Sequence, residues 1–233
     1  MVYHIRVEWT VDFYQEVDGS APVEEFLDSL RTEGRAKALA LVQALKIHGP
    51  NLPFPYSSQA AGKIRELRTQ YGRDKIRILY FADARRIFIL LHGFVKRTAK
   101  LEPSELAKAE NRMARHNQGI NKRGENIVNR FDRYYRTQME DSAMRERVEE
   151  ELASLEIGVQ IANLRAKHRL NQTQLAARAG MSAPKVSRIE SAPANVQLDT
   201  LIRLAQALGA RLEVRLVEEK GKSRRSRRAR AGA

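Results

Sequence analysis

The periodicity of this chain changes in its middle, and that change limits what it can fold into. In the first hundred residues, apolar positions recur mainly at strand spacing. Residues 2–9 (VYHIRVEW) put Tyr3, Ile5, Val7 and Trp9 on one face and His4, Arg6 and Glu8 on the other, the signature of a half-buried strand. Three more strand candidates lie close together at 63–69, 74–81 and 86–94, parted by turn signals at Tyr71-Gly72-Arg73 and Ala82-Asp83. Ile87 to Leu91 is apolar throughout, as in a central strand covered on both faces. Beyond residue 129 the spacing is helical, and strand alternation returns only at 211–217.

Helices fill the gaps between the strands. One begins near Ser20-Ala21-Pro22, with proline in the first turn, and buries Phe26, Leu27 and Leu30. A second covers 33–48, with Leu39, Val42 and Leu45 on one stripe, and stops at Gly49-Pro50. Residues 51–62, rich in Pro, Ser and Ala, read as a loop, and 103–116 as a closing helix. The order predicts an α+β domain over 1–117, a small antiparallel sheet with helices packed on it. Residues 118–129, with Gly119 and Gly124 and no aromatic residue, read as a linker. A helical segment follows over 130–156, with Phe131, Tyr134 and Tyr135 on one side, then an all-α domain over 157–218 and a basic tail over 219–233.

The net charge of +14 is uneven: the last fourteen residues hold seven basic groups and no acidic one. Such a tail either binds polyanions or only solubilises the chain. The absence of cysteine excludes disulfides and thiolate metal sites. No run of 18 apolar residues occurs, so no transmembrane helix is expected. The first residues do not have the pattern of a signal peptide, and a cytoplasmic protein is expected.

Residues 171–191 read NQTQLAARAGMSAPKVSRIES. Gly180 sits where a tight turn between two helices needs a positive φ. Ser182 caps the next helix and Pro184 suits its first turn. Val186 and Ile189 anchor that helix, leaving Ala183, Pro184, Ser187 and Arg188 outward. A bare helical core explains Leu175, Val186 and Ile189, but not the turn with Arg188 outside it. The stretch resembles the lambda-repressor-like (XRE) helix-turn-helix family over roughly 157–208. The resemblance implies phosphate contacts from Gln172, Ser182 and Lys185 and base reading from Ala183, Pro184, Ser187 and Arg188, with arginine suited to guanine. Residues 198–217 resemble the end of HigA-type antitoxins, which implies a homodimer with recognition helices roughly 34 Å apart. Glu190 reads as one half of an intradomain ion pair.

Arg65, Arg68, Arg73, Lys75, Arg77, Arg85, Arg86, Lys96, Arg97 and Lys100 crowd three strands and their exits, with few acidic partners. They are either a solvated sheet face or a polyanion surface, and Arg68, Arg77, Lys96 and Arg97 occupy positions that converge on one face. The stretches E-L-R, I-R-I-L-Y, L-L-H-G-F-V-K-R and P-S-E-L-A-K-A resemble the phage-derived Gp49-like, HigB-type branch of the RelE toxin superfamily. The resemblance implies a metal-independent endoribonuclease without cofactors that cuts mRNA, typically on the ribosome, by attack of the RNA 2′-OH on the adjacent phosphate. Such chemistry needs cations on the phosphorane, a base and an acid. Arg68 is the leading phosphate clamp, since a guanidinium fork holds two phosphate oxygens. Lys96 or Arg97 is the second cation. Arg77 either holds the phosphate or braces the sheet through an ion pair. The base is open between Tyr71, Lys63 and His92, and His92 in its apolar strand reads more simply as a satisfied sheet residue.

Both resemblances in one chain imply a toxin tethered to its own antitoxin, paired within the chain or swapped between chains. A tether of this length gives an effective concentration on the order of millimolar. Phe131, Tyr134 and Tyr135 are then expected to cover apolar toxin surface, and Glu140, Asp141, Glu146, Glu149, Glu150 and Glu151 to meet the basic sheet; otherwise this helix packs only on the repressor-like domain. The chain reads as a nuclease silenced by an antitoxin that binds operator DNA, or as a DNA-binding regulator whose RelE-like domain is inert.

Overall fold

The structure, a computed structural model, describes residues 9–98, 100–120, 129–191 and 196–215. The expected strand at 2–9 lies outside them except for Trp9, which stacks on Phe88 with ring centroids 4.9 Å apart. The first observed strand, β1 (Thr10–Phe13), follows directly. Helices α1 (Pro22–Ser29) and α2 (Thr32–His48) come next. Then come β2 (Ser57–Ala61), β3 (Ile64–Tyr71), β4 (Asp74–Ala82) and β5 (Ile87–Lys96), and α3 (Pro103–Ile120) closes the domain.

The five strands form one sheet in the order β1-β5-β4-β3-β2. It is antiparallel except at its edge, where β1 runs parallel to β5. Two details differ from the sequence reading. Residues 57–61 are an edge strand rather than loop, and α3 runs on to Ile120.

Alternation sorts the side chains into two layers. Leu67, Ile76, Ile78, Tyr80, Phe88 and Leu90 pack beneath α1 and α2. Ile64, Leu79, Phe81, Ile89 and Leu91 face the other way, against Ala109, Leu106 and Met113 of α3. Helix α2 is buried at Ala36, Ala38, Leu39, Ala40, Leu41, Val42, Ala44 and Leu45. A helix apolar all round must be enclosed on all sides. The sheet encloses one side of α2, and the second half of the chain encloses the other.

That cover consists of α4 (Arg130–Glu140) and α5 (Ser142–Lys167). They part at Asp141, whose carboxylate accepts from the Ala143 N–H at 2.8 Å and so caps α5. Phe131, Tyr134, Met144, Val148, Leu155 and Val159 are buried in the same core as the α2 side of the sheet. A fully buried apolar side chain contributes about 1.5–3 kcal/mol, and an exposed ion pair about 0–1 kcal/mol. The apolar seam therefore dominates the docking.

Polar contacts set its register. Lys37 pairs with Glu151 at 2.7 Å, Lys46 with Asp132 at 3.0 Å, and His48 with Glu156 at 2.8 Å. The Tyr134 hydroxyl donates to Asp28 at 2.8 Å. The Phe131 N–H donates to buried Asp12 of β1 at 3.2 Å. Among the described ion pairs, the acidic residues of this segment do not pair with the basic sheet face as expected. Glu151 reaches a lysine of α2, and Asp141 serves as a cap. Apolar seams fix which face of α5 turns inward, and its acids follow that choice.

Helix α5 joins two cores. Its Val159 belongs to the first, and its Ile161 to a second made with Leu175, Val186, Ile189, Leu204 and Leu208. The second core lies among α6 (Gln172–Arg178), α7 (Ala183–Ser191) and α8 (Leu198–Ala207). Asn171 and Gln174 form a reciprocal capping box at the start of α6. Gly180 takes φ +62° in the turn to α7, as the sequence requires. Residues 211–215 form no strand, and the rest of the expected strand lies outside the described residues. Among the described residues, no helix is long and apolar enough to cross a membrane.

Candidate nucleic-acid interfaces

Strand register arranges the basic residues of the sheet. Arg68 stands directly opposite Arg77, and Arg77 opposite Phe94. One row along, Gln70, Lys75 and Lys96 are cross-strand neighbours. One row the other way, Glu66, Leu79 and His92 are aligned. All nine lie on the α3 side of the sheet, so Arg68, Arg77 and Lys96 share one face. Lys96 is diagonal to Arg77, at the roughly 7–8 Å of such pairs.

Like charges placed directly opposite repel, and Glu66 relieves the repulsion. Its carboxylate lies 3.5 Å from Arg68 and 3.7 Å from Arg77, and accepts a hydrogen bond from Ser58 at 3.0 Å. Arg77 is buried, and its guanidinium donates to the Thr69 and Ile76 carbonyls at 3.1 and 2.8 Å. Its position braces β3 against β4, and it also reaches the cleft described below. Burial, and then the like charge of Arg68, make Arg77 easier to deprotonate than an ordinary arginine. The Nε of Arg77 and one oxygen of Glu66 are buried without hydrogen-bond partners. Arg68 is more open, with its guanidinium carbon 5.1 Å from the centre of the Phe54 ring.

The other sequence candidates fall elsewhere. Arg97 is exposed, just past the end of β5. Tyr71 lies on the opposite face, near Gly34 of α2. Lys63 precedes β3, roughly 16 Å from Arg68 along extended chain. His92 hydrogen-bonds Glu105 through Nε2, and its Nδ1 lies 3.1 Å from the Arg112 guanidinium. Burial depresses its pKa. It is a neutral ring held under α3, the simpler of its two sequence readings.

Between the exposed end of β3 and helix α5 lies a cleft of about 370 Å³. Arg68, Thr69, Gln70 and Arg77 line its sheet wall, and Glu151, Ser154 and Leu155 of α5 its roof. Lys37, Tyr56 and Ser191, the last residue of α7, complete it. Sequence reasoning missed Lys37, Tyr56 and Gln70. The parity of β3 points to Gln70 once Arg68 is chosen; the other two come from elements that only the tertiary fold brings near.

In the second domain Arg165 forms a fork on Glu190, at 2.6 and 3.0 Å, and Gln172 donates to the same carboxylate at 2.9 Å. Glu190 is fully buried, the ion pair read from the sequence. The Gln172 side chain is thus engaged inside the domain. Ser182, Pro184 and Arg188 are exposed on or beside α7, while Lys185 and Ser187 are half-buried. Ala183 packs partly on the helical core.

A basic α+β domain followed by two short helices across a glycine turn defines a two-domain chain whose second part is of the DNA-binding helix-turn-helix class. Comparison with known families gives both parts a place. Residues 25–114, from α1 into α3, match the family described as phage-derived protein Gp49-like. Residues 156–217 match a helix-turn-helix domain family. The chain thus joins a Gp49-like, toxin-type domain to a helix-turn-helix domain. No curated protein matches it.

Proposed function

We propose that this is a cytoplasmic type II toxin–antitoxin fusion. A HigB-type, metal-independent mRNA endoribonuclease acting on the ribosome is silenced by a HigA-type antitoxin that binds operator DNA as a homodimer and represses its own operon. The observation that carries the reading is the shared cleft: α5, which leads into the helix-turn-helix domain, lines the same cleft as Arg68.

In the uncovered domain, Arg68 grips the scissile phosphate and Lys96 supplies a second cation on the same face. Arg77 holds β3 and β4 in register and adds positive potential below. Fixed cations of this kind stabilise the charge that develops when the RNA 2′-OH attacks. In the second domain, Arg188 reads guanine from the exposed side of α7 with Ala183, Pro184 and Ser187 at the other base-reading positions, and Ser182 and Lys185 contact the DNA backbone.

Growth of cells expressing residues 1–120 tests the reading, with and without residues 129–233 supplied separately. Arrest by the first half, relief by the second and loss of arrest with Arg68→Ala are expected. Full-length protein should shift promoter DNA, and Arg188→Ala should remove the shift. A folded but harmless first half would favour a DNA-binding regulator with an inert RelE-like domain.

A further inference from the structure

Docking brings α5 to the cleft that Arg68 lines but does not fill it. The cleft keeps about 370 Å³, within the range of roughly 300–1,000 Å³ that small-molecule sites occupy. No acidic side chain of α5 enters to neutralise Arg68: Glu151, the carboxylate on the roof, is held by Lys37 at 2.7 Å. On the sheet side, two guanidiniums share the single carboxylate of Glu66 at 3.5 and 3.7 Å. One positive charge is therefore left over. The Arg77 side chain is only 9% exposed, and its Nε has no hydrogen-bond partner. That Nε faces the Glu66 carboxylate at 3.7 Å, too long for a hydrogen bond, so Glu66 does not satisfy both guanidiniums.

The remaining walls suit more than a bare anion. Half-buried Pro55 and the edges of the buried Tyr56 and Leu155 line it on the apolar side, and Gln70 and Ser154 supply polar groups. We propose that the docked, full-length protein binds a nucleoside monophosphate in this composite cleft, its phosphate on Arg68 and Arg77 and its nucleoside against Tyr56 and α5. The inference rests on the reading of Arg68 and Arg77 as phosphate-holding residues, and adds that silencing works by size. A paired or folded RNA is kept out by the roof, while a single nucleotide enters. Ser191, at the end of the DNA-reading helix, lines the same cleft, so the ligand touches both halves of the chain.

Calorimetric titration of the full chain with adenosine 3′-monophosphate tests this, with inorganic phosphate and adenosine as comparison arms. Saturable one-to-one binding is expected for the nucleotide, weaker binding for phosphate and none for adenosine. Arg68→Ala should weaken binding at least about tenfold, the loss of a charge-assisted pair. Ser154→Trp, which fills the roof and leaves the sheet intact, should abolish it, while Ser154→Thr should keep it. Thermal unfolding of both variants checks that the fold survives.

The inference fails if the nucleotide does not bind, if phosphate binds as well as the nucleotide, or if folded Ser154→Trp binds normally, which would put the anion on the open sheet face. Failure here alongside growth arrest by residues 1–120 removes the cleft and leaves the nuclease standing. Binding that survives in a chain whose first half is harmless keeps the cleft and removes the nuclease.

Discussion

Each domain buries an arginine near a glutamate, and the two arrangements are not alike. Around Glu190 the network is closed: Arg165 grips both oxygens, Gln172 adds a third hydrogen bond, and no solvent reaches the carboxylate. Around Glu66 the network is open: neither Arg68 nor Arg77 comes within hydrogen-bond distance, and two buried polar atoms lack partners. A fully satisfied buried network rigidifies a core, while each unpaired buried polar group costs stability. The difference separates residues that hold the helix-turn-helix domain together from those proposed above to hold a phosphate.

The contrast can be broken at either end. Glu190→Ala leaves the Arg165 guanidinium largely buried without its partner, and removing one side of a buried ion pair costs about 3–5 kcal/mol. Thermal unfolding should show the second domain melting far earlier, with DNA binding lost alongside. If Glu190→Ala melts like the parent, the network is ornamental. Arg68→Ala should do the opposite. Stability should stay within about 0.5 kcal/mol, while RNA cleavage by the uncovered first domain falls roughly 10²–10³-fold, the usual effect of losing one transition-state donor.

The junction between domains gives a third effect. A Cβ on Gly158 would lie 2.0 Å from the Tyr56 hydroxyl and 2.7 Å from the Glu190 carbonyl, so α5, the first domain and α7 meet there without room to spare. Gly158→Ala should cost about 1–3 kcal/mol, the range for overpacking. Tyr56→Phe should restore part of that loss in the double variant, and unfolding curves of the three proteins check it.

The smallest effect is at Asp12. Burial raises its pKa against the backbone hydrogen bonds that lower it. An acid whose pKa is higher in the folded state stabilises that state at low pH, and the contribution is lost as pH rises through the folded pKa. Asp12→Asn keeps an acceptor for the Phe131 N–H without the buried charge. It should flatten the stability profile above the usual carboxylate range, raising stability relative to the parent on the neutral side. Parallel profiles would contradict this.

Much of this was legible in the sequence, for reasons that differ by element. β3, β4 and β5 are marked by turn residues, β5 also by its apolar run, and α7 by its glycine turn. β2 is not, because Ser57-Ser58-Gln59-Ala60-Ala61 has no apolar rhythm; it is an edge strand held by backbone pairing to β3. The docking role of Phe131 and Tyr134 was readable from their spacing, but the destination of the α5 acids was not. That depended on Leu41 and Ala44, at helical spacing between Lys37 and His48, which give α2 a second apolar face. Arg77 stayed ambiguous until register showed it bracing Thr69 and reaching the cleft together. Tyr71 fell away for the same reason, since strand parity puts it on the other face.

The central claim is that α5 silences a ribonuclease by walling in the cleft that Arg68 lines. Its most direct test is cell-free translation with equal amounts of full-length protein and of residues 1–120, with the mRNA 5′ ends mapped by primer extension. Cleavage and arrest by the short form, little by the full chain, and protection when residues 129–233 are added back are the predicted results. Intact mRNA in the presence of a short form whose circular dichroism shows it folded would contradict the claim.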